Sequence, residues 1–409
     1  MATLAIRGGK PVRTRPFPTW PVWGEEEIRN LTEVVKSGKW GRLHGDRVAE
    51  FERRFAAFQN AKFGIAVNSG TTALHLGLLA AGIGPGDAVL VPAYTFIASA
   101  TAVIEAGGYP IFVDIDPETY NLDVSLLEKG LTPAVRGIMP VHFAGRPVDM
   151  ETLMSFARKH NLVVVEDAAQ AWGAEWRGQR VGALGDAGAF SFQSSKNINS
   201  GEGGIILTND ETLAAFARSH HNCGRWEKGE WYMHYYYGGN YRMTEFQGAV
   251  LLAQLARYEE HLRRRQENAR YLTEKLRQIE GIRVLRDDPA VTSHAEHLYI
   301  FRYQKESFGN KPKKAFIEAL KAEGIPASPG YSLPLYKQPV FEKKAFGPRG
   351  RSVDIPVDYR EFSLPATERA CYDEAVWLTQ NVLLADREDM DDIVRAVEKV
   401  RENWQELPD

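Results

Sequence analysis

The sequence predicts an α/β fold built on a mostly parallel, seven-stranded sheet covered by helices. Two features of the pattern carry this reading. Seven short apolar runs follow one another from residue 63 onward: Ile65–Val67, Ala88–Val91, Ile111–Val113, Gly137–Met139, Leu162–Val165, Ala189–Phe192 and Ile205–Leu207. Helical segments lie after the first (Thr72–Ala81), second (Ile97–Ala106), third (Val124–Glu128) and fourth (Met150–His160) of them. Strands that are apolar on both faces and alternate with helices belong to sheets buried on both sides. Such sheets present their ligands at the carboxyl ends of the strands.

Ahead of the sheet, residues 1–24 are rich in Pro, Arg and Trp without any period, so they read as an extended arm laid on a surface. Glu25–Ser37 and Val48–Phe58 carry the apolar spacing of helices. The glycine-punctuated loop Gly38–Gly45 between them either lines a cleft or merely connects. Beyond the sheet, Thr244–Glu280 is unbroken by Pro and places leucines among abundant charges, the pattern of one long helix or a bent pair. Strand-like Ile282–Leu285 and Leu298–Tyr303, helices over Pro312–Glu323 and Arg387–Asn403, and a short apolar segment near Val376 make a smaller α+β unit. The division is therefore an arm (1–24), a large domain (25–245), a bridging helix (246–280) and a small C-terminal domain (281–409).

Composition narrows the function. An apolar fraction of 44% and a charged fraction of 25% lie in the globular range, and a net charge of -3 gives no footprint for nucleic acid. Cys223 and Cys371 belong to no metal-ligand or disulfide spacing, so no metal site is expected. No run approaches the ~20 apolar residues of a membrane span, and the start lacks an apolar signal core, so the chain reads as cytoplasmic.

Three stretches at the strand ends could carry chemistry. Ser191–Gly204 breaks from a β-prone run into small and polar residues around Lys196, which is either a solvated loop lysine or an enclosed amine able to form a Schiff base. Asn68-Ser69-Gly70-Thr71-Thr72 opens a helix, with free N–H groups and hydroxyls that suit a phosphate or simply cap the helix. Val163–Gln170 puts Glu166 and Asp167 at the end of a buried strand, where a carboxylate needs a cationic or hydrogen-bonding partner. Asp167 either pairs with a protonated ring nitrogen or caps the next segment. Phe96 either stacks on a flat cofactor or is core, and Asn240, after two glycines, reads as a turn residue.

In this order the motifs resemble fold-type I pyridoxal-phosphate (PLP) enzymes, and more narrowly the DegT/StrS family of sugar and cyclitol aminotransferases. The resemblance runs over nearly the whole chain. It rests on Asn68–Thr71, Pro92–Phe96, Val141-His142-Phe143-Ala144-Gly145, Glu166–Gln170, Ser191–Lys196 with Gly201–Gly204, and Gly239–Met243. It implies that Lys196 carries the cofactor as a Schiff base and then acts as the proton-transferring base. It also implies that Asp167 pairs with the pyridine nitrogen, Gln170 lies near the phenolic oxygen, and Phe96 stacks on the ring. Gly70, Thr71 and Ser191 would hold the phosphate, and Asn240 would reach the phosphate of a neighbouring subunit, making a homodimer with shared sites. Relatives that dehydrate sugars carry histidine at the lysine position, so Lys196 argues for transamination.

The arm, the loop Trp40–Gly45 and Tyr331–Tyr336 are most similar to the cyclitol branch, which includes scyllo-inosose aminotransferases, and to aminohydroxybenzoate synthases. The implied reaction moves an amino group from glutamine or glutamate to a keto-cyclitol such as scyllo-inosose. Trp40, Arg42, His142, Arg242 and Tyr331 are the candidate substrate contacts. Three alternatives remain open at this point: a nucleotide-linked keto-sugar acceptor, an aromatising synthase of the aminohydroxybenzoate type, and a PLP-binding regulatory protein without turnover.

Overall fold

A computed structural model describes residues 3–408. Met1 and Ala2 of the expected arm, and Asp409, lie outside the described residues. The central sheet contains β1 (Phe63–Val67), β2 (Ala88–Pro92), β3 (Tyr109–Val113), β4 (Val135–Ile138), β5 (Val163–Asp167), β6 (Ala187–Ser191) and β7 (Gly204–Thr208). Their order across the sheet is β1-β7-β6-β5-β4-β2-β3. Only β7 runs against the rest, pairing antiparallel with β1 on one side and β6 on the other. The sheet is mostly parallel and seven-stranded, as the apolar runs predict. β2, β3, β6 and β7 are buried along their whole length, because their residues are apolar or small on both faces.

The helices around the sheet are α1 (Glu25–Ser37), α2 (Arg47–Phe58), α3 (Gly70–Ala80), α4 (Ala98–Glu105), α5 (Met150–His160) and α6 (Glu211–His221). α3 starts two residues before the sequence expectation. Ser69 caps it, accepting from the Thr72 N–H at 3.1 Å, so Gly70 and Thr71 lie inside the first turn. Val124–Gly130 is a short 3-10 turn rather than the expected α-helix. The sequence reading omitted α6, although its signals are present: Asp210 caps the Thr212 and Leu213 N–H groups, and Leu213, Ala214 and Ala217 are buried.

Thr244 and Gln247 form a capping box that starts α7 (Glu245–Leu276), one unbroken helix of 32 residues, roughly 48 Å long at 1.5 Å per residue. Its first half gives Leu251, Leu252, Tyr258 and Leu262 to the core beneath the central sheet. Its second half gives Ala269, Leu272 and Leu276 to a separate core around an antiparallel sheet of Ile282–Val284, Leu298–Tyr303 and Ala375–Thr379. α8 (Lys313–Ala322) and the helix Arg387–Glu402 complete that core. The N-terminal segment does more than lie on a surface. Leu4 is fully buried in the same core, Arg13 is paired with Asp389 and Asp392, and Trp20 Nε1 donates to the Ser194 carbonyl at 3.0 Å. It thereby ties the C-terminal unit to the lysine loop.

Candidate active site

Glu166 and Asp167 leave the end of β5 on opposite faces, because successive strand residues alternate. Glu166 turns into the frame. Its two oxygens accept from the N–H groups of Gly182, Leu184 and Gly185, each at 2.7 Å, and from His142 Nε2 at 2.8 Å. His142 Nδ1 accepts from the Val148 N–H at 3.1 Å, which fixes the proton on Nε2. The Asp167 carboxylate turns to the other face and, among the described residues, accepts only two bonds, from Ser99 Oγ at 2.7 Å and the Ala169 N–H at 3.1 Å. Burial pushes its carboxyl up, while those two bonds and the charge of Lys196 pull it back. An ionised carboxylate has about four acceptor sites, so Asp167 keeps capacity for a further donor.

Lys196 stands on the loop between β6 and β7, and its neighbours hold that loop on both sides. Its N–H donates to the Gln193 carbonyl at 2.9 Å. Asn197 donates to the Ala295 carbonyl at 2.8 Å and bonds His297 Nδ1 at 2.9 Å. The Lys196 amine itself has no hydrogen-bond partner among the described residues. Burial lowers its pKa to about 8 against the pull of Asp167, which acts on it by charge without ion-pair contact. An amine able to lose its proton near neutral pH thus faces an acid with spare acceptor capacity.

The turn between β1 and α3 closes on Ser191. A Cβ on Gly70 would lie 2.6 Å from Ser191 Cβ, and one on Gly204 would lie 2.3 Å from the Ser69 carbonyl oxygen. Only glycine allows this approach, which gathers the first turn of α3 and the Ser191 hydroxyl into one small cradle. Phe96 is 58% exposed, so its ring is no part of the core. Its carbonyl accepts from Ser99, the residue that also holds Asp167. Gln170 Oε1 accepts from the Ala144 N–H at 2.7 Å, leaving its amide NH₂ for another partner. Tyr331 lies beside Asp167 and Gln170, its hydroxyl raised by burial first and by the Asp167 charge second. A phosphorylated pyridine aldehyde fits this arrangement: a phosphate cradle, an acid for a ring nitrogen, an amine for the aldehyde and an open aromatic face.

The other predicted contacts are placed differently. His142 is fully buried with both ring nitrogens committed, so it positions Glu166 instead of lining a cleft. Arg42 donates to Glu52 at 2.8 Å, and the same carboxylate takes the Ala66 N–H, so Arg42 braces β1 against α2. Arg242 bonds Asn222 at 2.8 Å. Trp40 packs on Phe246 at the start of α7, ring centroids 5.7 Å apart. Of these five, His142 and Tyr331 stand next to Asp167, but His142 does so through its backbone N–H to the Asp167 carbonyl at 3.0 Å, with its ring turned to Glu166. Asn240 is exposed, just beyond a loop whose Trp231, Tyr232 and Tyr237 are 76, 73 and 89% exposed. The sequence reading missed Ser99, whose only local signal was its place one turn after Thr95. It also missed the Asn197–His297 pair and an aromatic wall in which Tyr331 meets Tyr94 at 5.4 Å and Trp377 at 4.9 Å.

These features suit an aminotransferase, and the chain belongs to the DegT/DnrJ/EryC1/StrS aminotransferase family, which it matches over residues 21–398. It is a PLP-dependent transferase of fold type I. Among its relatives, the L-glutamine:2-deoxy-scyllo-inosose aminotransferase of Streptoalloteichus tenebrarius is 36% identical over 99% of both chains. The GDP-perosamine synthase of Caulobacter vibrioides is 43% identical over 74% of this chain and 80% of its own. The crystal structure of 3-amino-5-hydroxybenzoic acid synthase superposes with a TM-score of 0.86 at 34% identity, covering 95% of this chain and 99% of that one.

No helix of the described residues is long and apolar enough to cross a membrane.

Proposed function

We propose that this chain transfers an amino group from glutamine or glutamate to a keto-cyclitol of the scyllo-inosose type, in the cytoplasm. The observation that carries the proposal is the half-buried Lys196, whose amine has no hydrogen-bond partner among the described residues, opposite Asp167 in a chain that matches an inosose aminotransferase over 99% of its length. PLP, when bound, supplies an electron sink that stabilises negative charge at the carbon losing its proton.

The chain's own residues do the rest. Gly70, Thr71 and Ser191 hold the phosphate through N–H groups and a hydroxyl. Asp167, kept in place by Ser99, holds the proton on the ring nitrogen, and Phe96 covers the ring. Gln170 donates from the amide NH₂ that Ala144 leaves free. Lys196 Nζ takes the proton from the α-carbon of the amino-acid donor and delivers one to the former carbonyl carbon of the acceptor. A pKa of about 8 suits both tasks. Tyr331 presents a neutral hydroxyl to a polyhydroxylated ring.

Two copies of the chain share their sites, with Asn240 of each reaching the phosphate of the other. Support comes from the exposed Asn240, the open face of Phe96 and the exposed aromatic loop beside Asn240, an apolar patch that calls for cover. A second reading, a nucleotide-linked keto-sugar acceptor, is favoured by the 43% identity to GDP-perosamine synthase.

The test is the visible absorption spectrum of the protein with PLP, before and after glutamine or glutamate, followed by turnover with scyllo-inosose and with a nucleotide-linked 4-keto sugar. Loss of the lysine-bound band on adding a donor, with amination of the cyclitol, is the expected outcome. Amination of the sugar alone would replace the keto-cyclitol by the second reading. No lysine-bound band would refute the role of Lys196, and a band indifferent to every donor would favour a PLP-binding regulatory protein.

A further inference from the structure

A cavity of about 690 Å³ lies beside the turn that supports Gln170. Ala144 belongs to both places: its N–H bonds Gln170, and it lines the cavity together with Arg146. α7 contributes Gln266 and Arg270 to the lining, and the segment that follows it contributes Glu296.

Arg146 is 7% exposed, and its guanidinium makes no ion pair or hydrogen bond among the described residues; Nη2 is buried without any partner. A buried guanidinium has five N–H donors to satisfy, and leaving them without acceptors is costly. Burial lowers its pKa, with Asp288, Asp287 and Glu296 pulling the other way from a distance.

Glu296 lines the same cavity from a left-handed backbone position, φ 50°. Its carboxyl lies 3.4 Å from His294 Nδ1, but that nitrogen already accepts the Glu296 N–H at 2.9 Å. The carboxyl therefore has no donor from the histidine. Burial raises Glu296 to about 8 and lowers His294 to about 3, so near neutral pH the first is a proton donor and the second is uncharged.

We propose that this cavity binds a small organic carboxylate, with Arg146 pairing to its oxygens and the Glu296 carboxyl donating to it. Ala295 and His297, on either side of Glu296, are the two residues that bond Asn197 next to Lys196. An occupant of the cavity thus rests against the support of the lysine loop.

Succinate is the probe, because it has neither an amine to donate nor a ketone to accept. Calorimetric titration into the PLP-loaded enzyme gives saturable binding, and succinate raises the thermal midpoint. Arg146→Gln weakens that binding by about ten- to hundredfold. It leaves kcat and KM for the donor unchanged and does not lower the midpoint measured without succinate, since no bond of the free protein is lost. Glu296→Gln, which keeps a donor in place, binds nearly as well as wild type, whereas Glu296→Ala binds more weakly. Equal binding by wild type and Arg146→Gln would assign succinate to the active site and overturn the proposal. Absence of saturable binding, or displacement by inorganic phosphate at equal concentration, would overturn the carboxylate assignment.

Discussion

Lys196 and Lys313 are two enclosed lysines, both lowered to about 8 and both by burial, yet they do opposite things. Lys313 donates to the carbonyls of Pro329, Ala370 and Cys371 at 3.2, 3.2 and 2.8 Å, pinning the start of α8 to the segment before the last strand of the C-terminal sheet. The Lys196 amine donates to nothing among the described residues. The strand end of β5 repeats the contrast with acids: Glu166 accepts four bonds and Asp167 two. A buried charge whose bonding capacity is filled holds the fold together, and one with capacity left over is available to a ligand. A shifted pKa by itself does not separate the two cases.

The widest expected gap is between the lysines. Lys196→Ala lowers turnover by about 10⁴-fold or more with little change in the denaturation midpoint of the cofactor-free protein. A borohydride-reducible bond to PLP at another lysine of that variant would break the comparison. Asp167→Ala comes next, with a loss of about 10²- to 10³-fold in kcat. Its stability changes little, because Ser99 keeps Thr95 and the Phe96 carbonyl as partners and the Ala169 N–H, which loses its acceptor, belongs to a half-exposed residue. Near-normal turnover would remove Asp167 from the ring nitrogen.

Glu166→Ala inverts that pattern. It orphans three N–H groups and His142, so urea denaturation should register a loss of about 3–5 kcal/mol, while kcat per folded molecule stays close to wild type. Lys313→Met behaves alike on a smaller scale, costing about 1–3 kcal/mol through three carbonyls left without a donor. A fall in kcat without a fall in stability would place Lys313 in the chemistry.

The smallest effect sharpens the Lys196 side. PLP uptake by the cofactor-free protein needs the neutral amine, so its rate should climb as pH rises toward about 8 and level off above, since burial has lowered that pKa. Asp167 raises the Lys196 pKa, so Asp167→Ala should move the profile to lower pH. Stopped-flow absorbance between neutral and alkaline pH reads both, and a rise continuing toward the range of an exposed lysine, ~10.4, would show that the amine is solvated.

Much of this was legible in the chain. The apolar runs located all seven strands within a residue or two, since burial on both faces leaves an unbroken signature. The order of phosphate turn, strand-end acid and loop lysine pointed to the chemistry because each sits where a strand stops. The substrate contacts were harder to see. Arg42, His142 and Arg242 have side chains suited to a polyhydroxylated ligand, but Glu52, Glu166 and Asn222 take them first. Two of those three partners lie about twenty or more residues away along the chain. No local pattern announces them.

By itself the sequence determined the layers of the fold, the smaller α+β unit, the loop that carries Lys196 and the strand end that carries Asp167. These follow from periodicity and turn chemistry over a few residues, which act whatever the distant chain does. Only the tertiary structure decided which of two adjacent acids is left with spare capacity, which of two enclosed lysines is left without a partner, and that Arg146 and Glu296 face one cavity. Those outcomes depend on which groups from remote segments come within about 3 Å, the range over which a hydrogen bond forms or fails, and that distance is set by the packing of the whole chain.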